Sequence, residues 1–439
     1  MKESKMKKNK MEENKMTESK MPDITCLAEG ITYPTNSSLT GLNLNEIIVG
    51  GTGSGKSVSN AYSRLLHTNN SSVVVPVAKR ALMEKFKGMF EERGYKTYVL
   101  DFAHPEKSDA SYDPLQYVNS DQDAVRLARN LICATGRLRG EDEYWNNAAA
   151  SVLAAEIIYV KLMEEHPTFA DVIKLHRSMK VKTQKDLFAS TIDDCFYVVE
   201  ELYPGNQATQ LWGTIKGLGM RTASCIISIV NNAVDKIFSE KVLDMVNNER
   251  KVCFREIGRR KTALFVLNSS MDEGLLSLLN IMYSDLFREL FEEAEEKPEG
   301  RLDVPVHIVC DDFACTGRIN DFENYISIFR AAGISVTLLL QSESQLAGMY
   351  GYDAATTIIN NCDTYVYLGG MDLQTCQNVS MRMNKPLNRV LTLPLETAVV
   401  FRRGMPHAVA RRYQTFEDPI YKELLEKQEL AEESERSSL

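Results

Sequence analysis

A chain of 439 residues has room for about two or three domains. Its apolar fraction of 44% suits a globular protein, and a net charge of −9 excludes a general polyanion binder, so any nucleic-acid contact has to come from a local basic surface such as a pore lining. Nine cysteines without a C-x-x-C pair argue for reduced thiols in a cytosolic compartment, against a disulfide framework or a zinc site.

Residues 1–22 carry methionine at 1, 6, 11, 16 and 21 and lysine at 5, 10, 15 and 20. A period of five matches neither a helix nor a coiled coil and builds no apolar face, so the segment reads as a disordered, net-basic tail. It has no apolar core of a signal peptide. The longest apolar run, Ala148 to Val160, contains Glu156 and falls short of the ~20 residues that span a bilayer.

From Glu46 the chain alternates strands and helices. The expected strands are Glu46–Val49, Val73–Val77, Thr97–Leu100, Thr262–Leu267, Val304–Cys310, Ile334–Leu340, Thr364–Leu368 and Ala398–Phe401. Such continuous apolar runs belong to a buried, mainly parallel sheet with helices on both faces, an α/β class. Between 119 and 250 helical periods dominate, at Ala124–Cys133, Tyr144–Met163, Ala170–Met179 and Ala223–Ile237. The expected organisation is a discontinuous α/β domain, 23–118 and 251–415, interrupted by an all-α domain at 119–250. Residues 416–439 carry eight Asp/Glu against three Lys/Arg and read as a helix fraying into an acidic tail.

The first strand runs into Gly50-Gly51-Thr52-Gly53-Ser54-Gly55-Lys56-Ser57 and then a helical pattern. That is G-x-x-x-x-G-K-[ST] in the context its chemistry requires. The glycines let successive N–H groups face one point, and the helix N-terminus adds a positive dipole end. Lys56 is placed for the β/γ-phosphates of a nucleoside triphosphate and Ser57 for Mg²⁺. A phosphate loop needs a partner carboxylate and a residue that orients water. The run 304–310 ends in Asp311-Asp312, at the strand end where ligands sit in such sheets; Asp311 is the candidate for the Mg²⁺ shell and Asp312 for the water. Cys310 and Cys315 flank this pair without a third ligand and read as small hydrophobes. Gln341 closes the next strand and offers a neutral amide to sense the γ-phosphate. Arg330 precedes that strand; it is either a surface helix arginine or a guanidinium pointing across a subunit boundary.

These pieces, in this order, resemble the TraG/TraD-like type IV coupling proteins, the ATPases of bacterial conjugation, in the forms carried by mobile elements of Gram-positive bacteria. The likeness rests on Asn45–Ser57 (NEIIVGGTGSGKS), Tyr98–Leu115, Asp142–Trp145 with the helix after it, Lys261–Leu267, Val304–Leu346 and Ile358–Gly370 (IINNCDTYVYLGG). It implies a RecA-like ATPase domain with an inserted all-α domain, ATP and Mg²⁺ at subunit interfaces of a homo-hexamer (a monomer without DNA being the other state) and a channel for single-stranded DNA. It implies Arg330 completing a neighbour's site and Gln341 as the sensor glutamine.

The implied function is delivery of a DNA–relaxase complex to a type IV secretion channel, in the cytoplasm or at the inner face of the membrane. The alternative is a non-hydrolysing, ATP-bound adaptor for protein substrates. A ring-forming DNA pump of the chromosome-segregation type is a third reading, weakened by the lack of added DNA-reading domains.

The chain departs from the family at three places. Asp311-Asp312 stands for the usual Asp-Glu, which shortens the reach to water, so the expectation is either slow hydrolysis or a loop that sits closer. Val77-Ala78-Lys79-Arg80 stands for Asp-Pro-Lys-Gly, with only Lys79 matching. A hydrophilic repeat stands where members carry transmembrane helices, so the expectation is either recruitment by a separate membrane protein or service in a different assembly.

Overall fold

The computed structural model describes residues 21–77, 80–135, 143–184, 187–268, 273–313 and 318–437. The methionine–lysine repeat up to Lys20, Ala78 and the matching Lys79, Asp142, Cys315 and the last two residues lie outside these. The chain forms two compact units. The first comprises 1–98, 253–267 and 287–439; the second comprises 99–252 and 268–286, with 119–250 inside it.

The strands in chain order are β1 (Ile24–Ala28), β2 (Ile31–Pro34), β3 (Glu46–Val49), β4 (Ser72–Val77), β5 (Lys96–Asp101), β6 (Val181–Gln184), β7 (Leu187–Ser190), β8 (Thr262–Leu267), β9 (Val306–Cys310), β10 (Ile334–Leu340), β11 (Thr364–Tyr367), β12 (Thr397–Arg402) and β13 (Ala408–Arg411). Nine of them form one sheet in the order β13-β12-β11-β3-β10-β9-β4-β8-β5. From β11 through β3, β10, β9 and β4 to β8 the pairings are all parallel, while β12 and β13 add antiparallel strands at one end. Every residue of β3, β4, β8, β9 and β10 is buried. Burial on both faces is why these strands read as mostly apolar runs rather than alternating ones. Pro76 is tolerated in β4 because the pairing with β9 ends at Val74↔Ile308, before its missing N–H would be needed.

Crossing three of these strands is a buried polar chain. Arg64 Nη2 donates to His307 Nδ1 at 3.0 Å, Ser335 Oγ sits 2.6 Å from the same nitrogen, and His307 Nε2 lies 2.8 Å from Thr337 Oγ1. Thr337 in turn donates to Glu46 Oε2 at 2.9 Å. An arginine can only donate, so Nδ1 is the acceptor and the proton sits on Nε2. Burial, and then the Arg64 guanidinium, hold the His307 imidazole well below the ordinary histidine range.

The described residues of the second unit are mainly helical and include the antiparallel hairpin β6–β7, which periodicity did not anticipate. Its central helix, Glu143–Met163, buries ten residues between Ala149 and Val160 and is apolar nearly all round, as a helix enclosed by others must be. Glu156, the one acid in that run, is fully buried and pairs with His176 Nδ1 at 2.9 Å. Trp212 stacks on Phe196 with ring centres 4.5 Å apart and donates to Asp193 Oδ1 at 2.8 Å. No helix among the described residues is long and apolar enough to cross a membrane.

Candidate functional site

Because β3, β9, β10 and β11 run parallel, their C-terminal ends meet on one edge of the sheet. Gly50 leaves β3 there, Asp311 follows β9, Gln341 follows β10, and Gly369-Gly370 come just after β11. The loop Gly50–Ser57 is fixed to this edge through its backbone. Gly50 N donates to Leu340 O at 3.1 Å and Gly51 N to Gly369 O at 2.8 Å. Gly53 and Gly55 have φ of 78° and 86°, the left-handed region where a side chain is strained. At Gly50 a Cβ would lie 2.5 Å from Ser54 Oγ and 3.0 Å from Leu368 Cβ. The glycines are therefore dictated by curvature and close approach.

After the loop the chain enters wide π-type turns, Ser57–Tyr62, before the α-helical Ser63–Leu66. Such turns concentrate at functional positions. They present the Ser57 hydroxyl to β9, where Ser57 Oγ donates to Asp311 Oδ1 at 2.5 Å. Lys56 Nζ curls back onto Gly50 O at 2.6 Å and Gly51 O at 3.1 Å. Burial lowers the Lys56 pKa, against the pull of the Asp312 and Asp311 carboxylates.

Asp312 has φ 59°, a left-handed conformation that Asp adopts more readily than most residues. Its Oδ1 is buried with no hydrogen-bond partner. A carboxylate oxygen costs free energy in that state, so one aimed beside a lysine and a serine–aspartate pair suits a site that takes a polar ligand. The hard oxygens of Ser57 and Asp311 suit Mg²⁺. Gln341 is exposed, and its Oε1 accepts from Thr52 Oγ1 at 3.4 Å.

One candidate falls elsewhere. Arg330 lies in the last turn of the helix Phe322–Ala332, ahead of β10, and donates to Gly41 O at 3.0 Å. The seven residues of β10 separate it from the loop edge by roughly 20 Å at ~3.3 Å per residue. It does not reach the phosphate loop of its own chain. It lines a polar cavity of about 520 Å³ together with Ser37, Glu299 and Arg301.

Two contributors were missed in the sequence. Gly369 and Gly370 back the loop, with Gly370 Cα only 3.7 Å from where a Gly51 Cβ would stand; a Gly-Gly pair ending a strand was the available signal. Arg412, just past β13, donates through Nη1 to Ser54 O at 2.7 Å. Nothing local to Arg412 marks it, because its partner lies 358 positions away. Among the described residues no group of three or more His, Cys, Asp or Glu could hold a metal ion.

Comparison with known proteins bears on this geometry. The family model for type IV secretory system conjugative DNA transfer matches residues 1–385. The chain is similar to the bacterial conjugative coupling protein TrwBdeltaN70 in an unbound form, at 19% identity over 91% of this chain and 90% of that one, with a TM-score of 0.63. It is similar to the plasmid coupling protein TrwB in complex with the non-hydrolysable ATP analogue ADPNP, at 20% identity over 86% and 87%, TM-score 0.60. TrwB in complex with ADP and Mg²⁺ matches at 20% identity over 86% and 87%, TM-score 0.59. At these identities the likeness carries the fold alone, a mainly parallel α/β domain with a helical unit. No curated protein matches.

Proposed function

Because the chain belongs to the family of type IV secretory system proteins for conjugative DNA transfer, we propose that it is a P-loop ATPase that couples nucleotide hydrolysis to delivery of a DNA–relaxase substrate to the secretion channel. The observation that carries this reading is the Ser57–Asp311 contact beside Lys56, which joins the loop and strand halves of a nucleotide site. TrwB, a structural relative, is known in complex with ADPNP and with ADP and Mg²⁺, which supports ATP and Mg²⁺ as ligands here.

In this reading Lys56 exchanges its two loop carbonyls for β/γ-phosphate oxygens. Mg²⁺, when bound, neutralises phosphate charge and orients the triphosphate, with Ser57 and Asp311 holding its shell. Asp312 accepts a hydrogen bond from the attacking water, and Gln341, already against Thr52 of the loop, orients it without adding negative charge. Arg330 acts on the site of a neighbouring copy, since its own is a strand length away. That requirement favours a closed ring, a homo-hexamer, with DNA in the channel.

The test is ATP hydrolysis with and without single-stranded DNA, in wild type and Lys56→Ala. Hydrolysis that rises with DNA and vanishes in Lys56→Ala is expected. ATP binding with no hydrolysis under any DNA condition would overturn the motor and favour the ATP-bound adaptor.

A further inference from the structure

The segment between β13 and the last helix is tied to the nucleotide loop from outside. Arg412 Nη1 donates to Ser54 O at 2.7 Å. The guanidinium sits so close over Gly55 that a Cβ there would lie 2.6 Å from Nη1. The arginine is itself held. Its N–H donates to Glu396 O at 2.6 Å, Nη2 lies 3.7 Å from Glu396 Oε1, and Gln414 Nε2 donates to Arg412 O at 2.9 Å. Glu396 adopts φ 71° to make this turn. Three residues on, the Thr415 hydroxyl donates to Val58 O in the first turn after the loop.

A trans peptide is planar, so the carbonyl of Ser54 and the N–H of Gly55 point in opposite directions. Gly55 lacks a Cβ and has φ 86°, so rotation of this peptide meets little steric resistance of its own. Holding the carbonyl on the outside therefore sets the N–H on the inside, where a nest of backbone donors binds an anion. Charge-assisted hydrogen bonds are the stronger kind, which suits a lock on one peptide.

We propose that Arg412 is a positioning residue for nucleotide binding: it locks the Ser54–Gly55 peptide so that the Gly55 N–H faces the bound phosphates. This rests on the reading of the loop as a nucleoside triphosphate site. The lock serves the part of the ligand common to ATP and ADP. It acts on affinity, and the hydrolytic step is left to Asp312 and Gln341.

The experiment measures equilibrium binding of a fluorescent ATP and a fluorescent ADP, with Mg²⁺, to the full chain, to Arg412→Met and to Arg412→Lys. Steady-state hydrolysis and the melting temperature without nucleotide are measured alongside. Arg412→Met keeps the apolar stem and removes every donor; it is expected to weaken ATP and ADP alike by roughly tenfold or more, to raise KM and to hold kcat. Arg412→Lys, which keeps one charged donor, should recover part of the affinity. Wild-type affinity in Arg412→Met, a loss on ATP alone, or a fall in kcat at unchanged KM would overturn the lock. So would a loss matched by a lower melting temperature and unrelieved by lysine, which marks a structural arginine. A wild-type chain that binds neither nucleotide overturns the underlying site assignment instead.

Discussion

The Ser57 hydroxyl donates to the Asp311 carboxylate at 2.5 Å, joining residues 254 positions apart. The contact exists because β3 and β9 both flank β10 in parallel and so deliver the loop and the acid to one sheet edge. A hydroxyl already aligned with a carboxylate needs little rearrangement to share a cation. Ser57→Ala is expected to remove the Mg²⁺-dependent part of ATP affinity, by roughly tenfold or more, while Ser57→Thr keeps it. Titration of ATP with Mg²⁺ and with EDTA checks this; the same Mg²⁺ dependence in Ser57→Ala would remove Ser57 from the cation shell.

Asp312 combines a short side chain, a left-handed backbone and a buried oxygen without a partner. Asp312→Ala is expected to lower turnover by roughly 10²-fold or more with ATP affinity retained, the pattern of a residue needed only for the reaction. Asp312→Glu regains the methylene of the usual family residue at the cost of a less favoured left-handed conformation, so it should keep activity. Single-turnover hydrolysis separates these steps. Equal turnover in Asp312→Ala and wild type would mean that Asp312 does not place the water.

For Arg330, lying a strand length from its own loop, complementation is the informative measurement. Arg330→Ala and Lys56→Ala should each be inactive alone. Co-assembled rings contain interfaces where an intact loop meets an intact arginine, and these should regain part of the activity. A residue acting within its own chain cannot produce recovery, because every chain still carries one defect. No recovery in rings shown to co-assemble would return Arg330 to a surface role.

His307 gives a stability prediction with a definite sign. Its folded pKa lies well below the ordinary value, so above pH ~6.5 the imidazole is neutral in both states and costs nothing. As pH falls below ~6.5 the unfolded chain takes up a proton that the folded one refuses, and stability drops by up to ~1.4 kcal/mol per pH unit. Urea unfolding of wild type and His307→Gln at several pH values checks this. The wild type should lose more stability on acidification; parallel pH profiles would contradict a neutral buried His307.

What the sequence disclosed follows from which residues are buried on both sides. β3, β8 and β10 coincide with the apolar runs read from the chain, because a central parallel strand has no polar face to interrupt it. β2 and β13 alternate half-buried and exposed positions over four residues each, too short for a period of two to stand out. The hairpin β6–β7 is likewise only four residues a strand. The loop, Asp311, Asp312 and Gln341 were legible because each sits at the end of a recognisable strand. Arg412 was not, since its role depends on strand order: β12 and β13 each reverse direction, which returns the chain to the loop edge. Arg330 was legible as a candidate, but only the direction of β10 shows that it faces away from its own site.

The central claim is that the edge joining β3, β9 and β10 is a nucleotide site whose charge is met by Lys56. Equilibrium binding of MgATP to wild type and Lys56→Ala tests it most directly. Wild type should bind, and Lys56→Ala should bind at least ~tenfold more weakly with an unchanged melting temperature in the absence of nucleotide. Equal ATP affinity in the two proteins, or no ATP binding by a folded wild type, would contradict a phosphate-binding role for this loop.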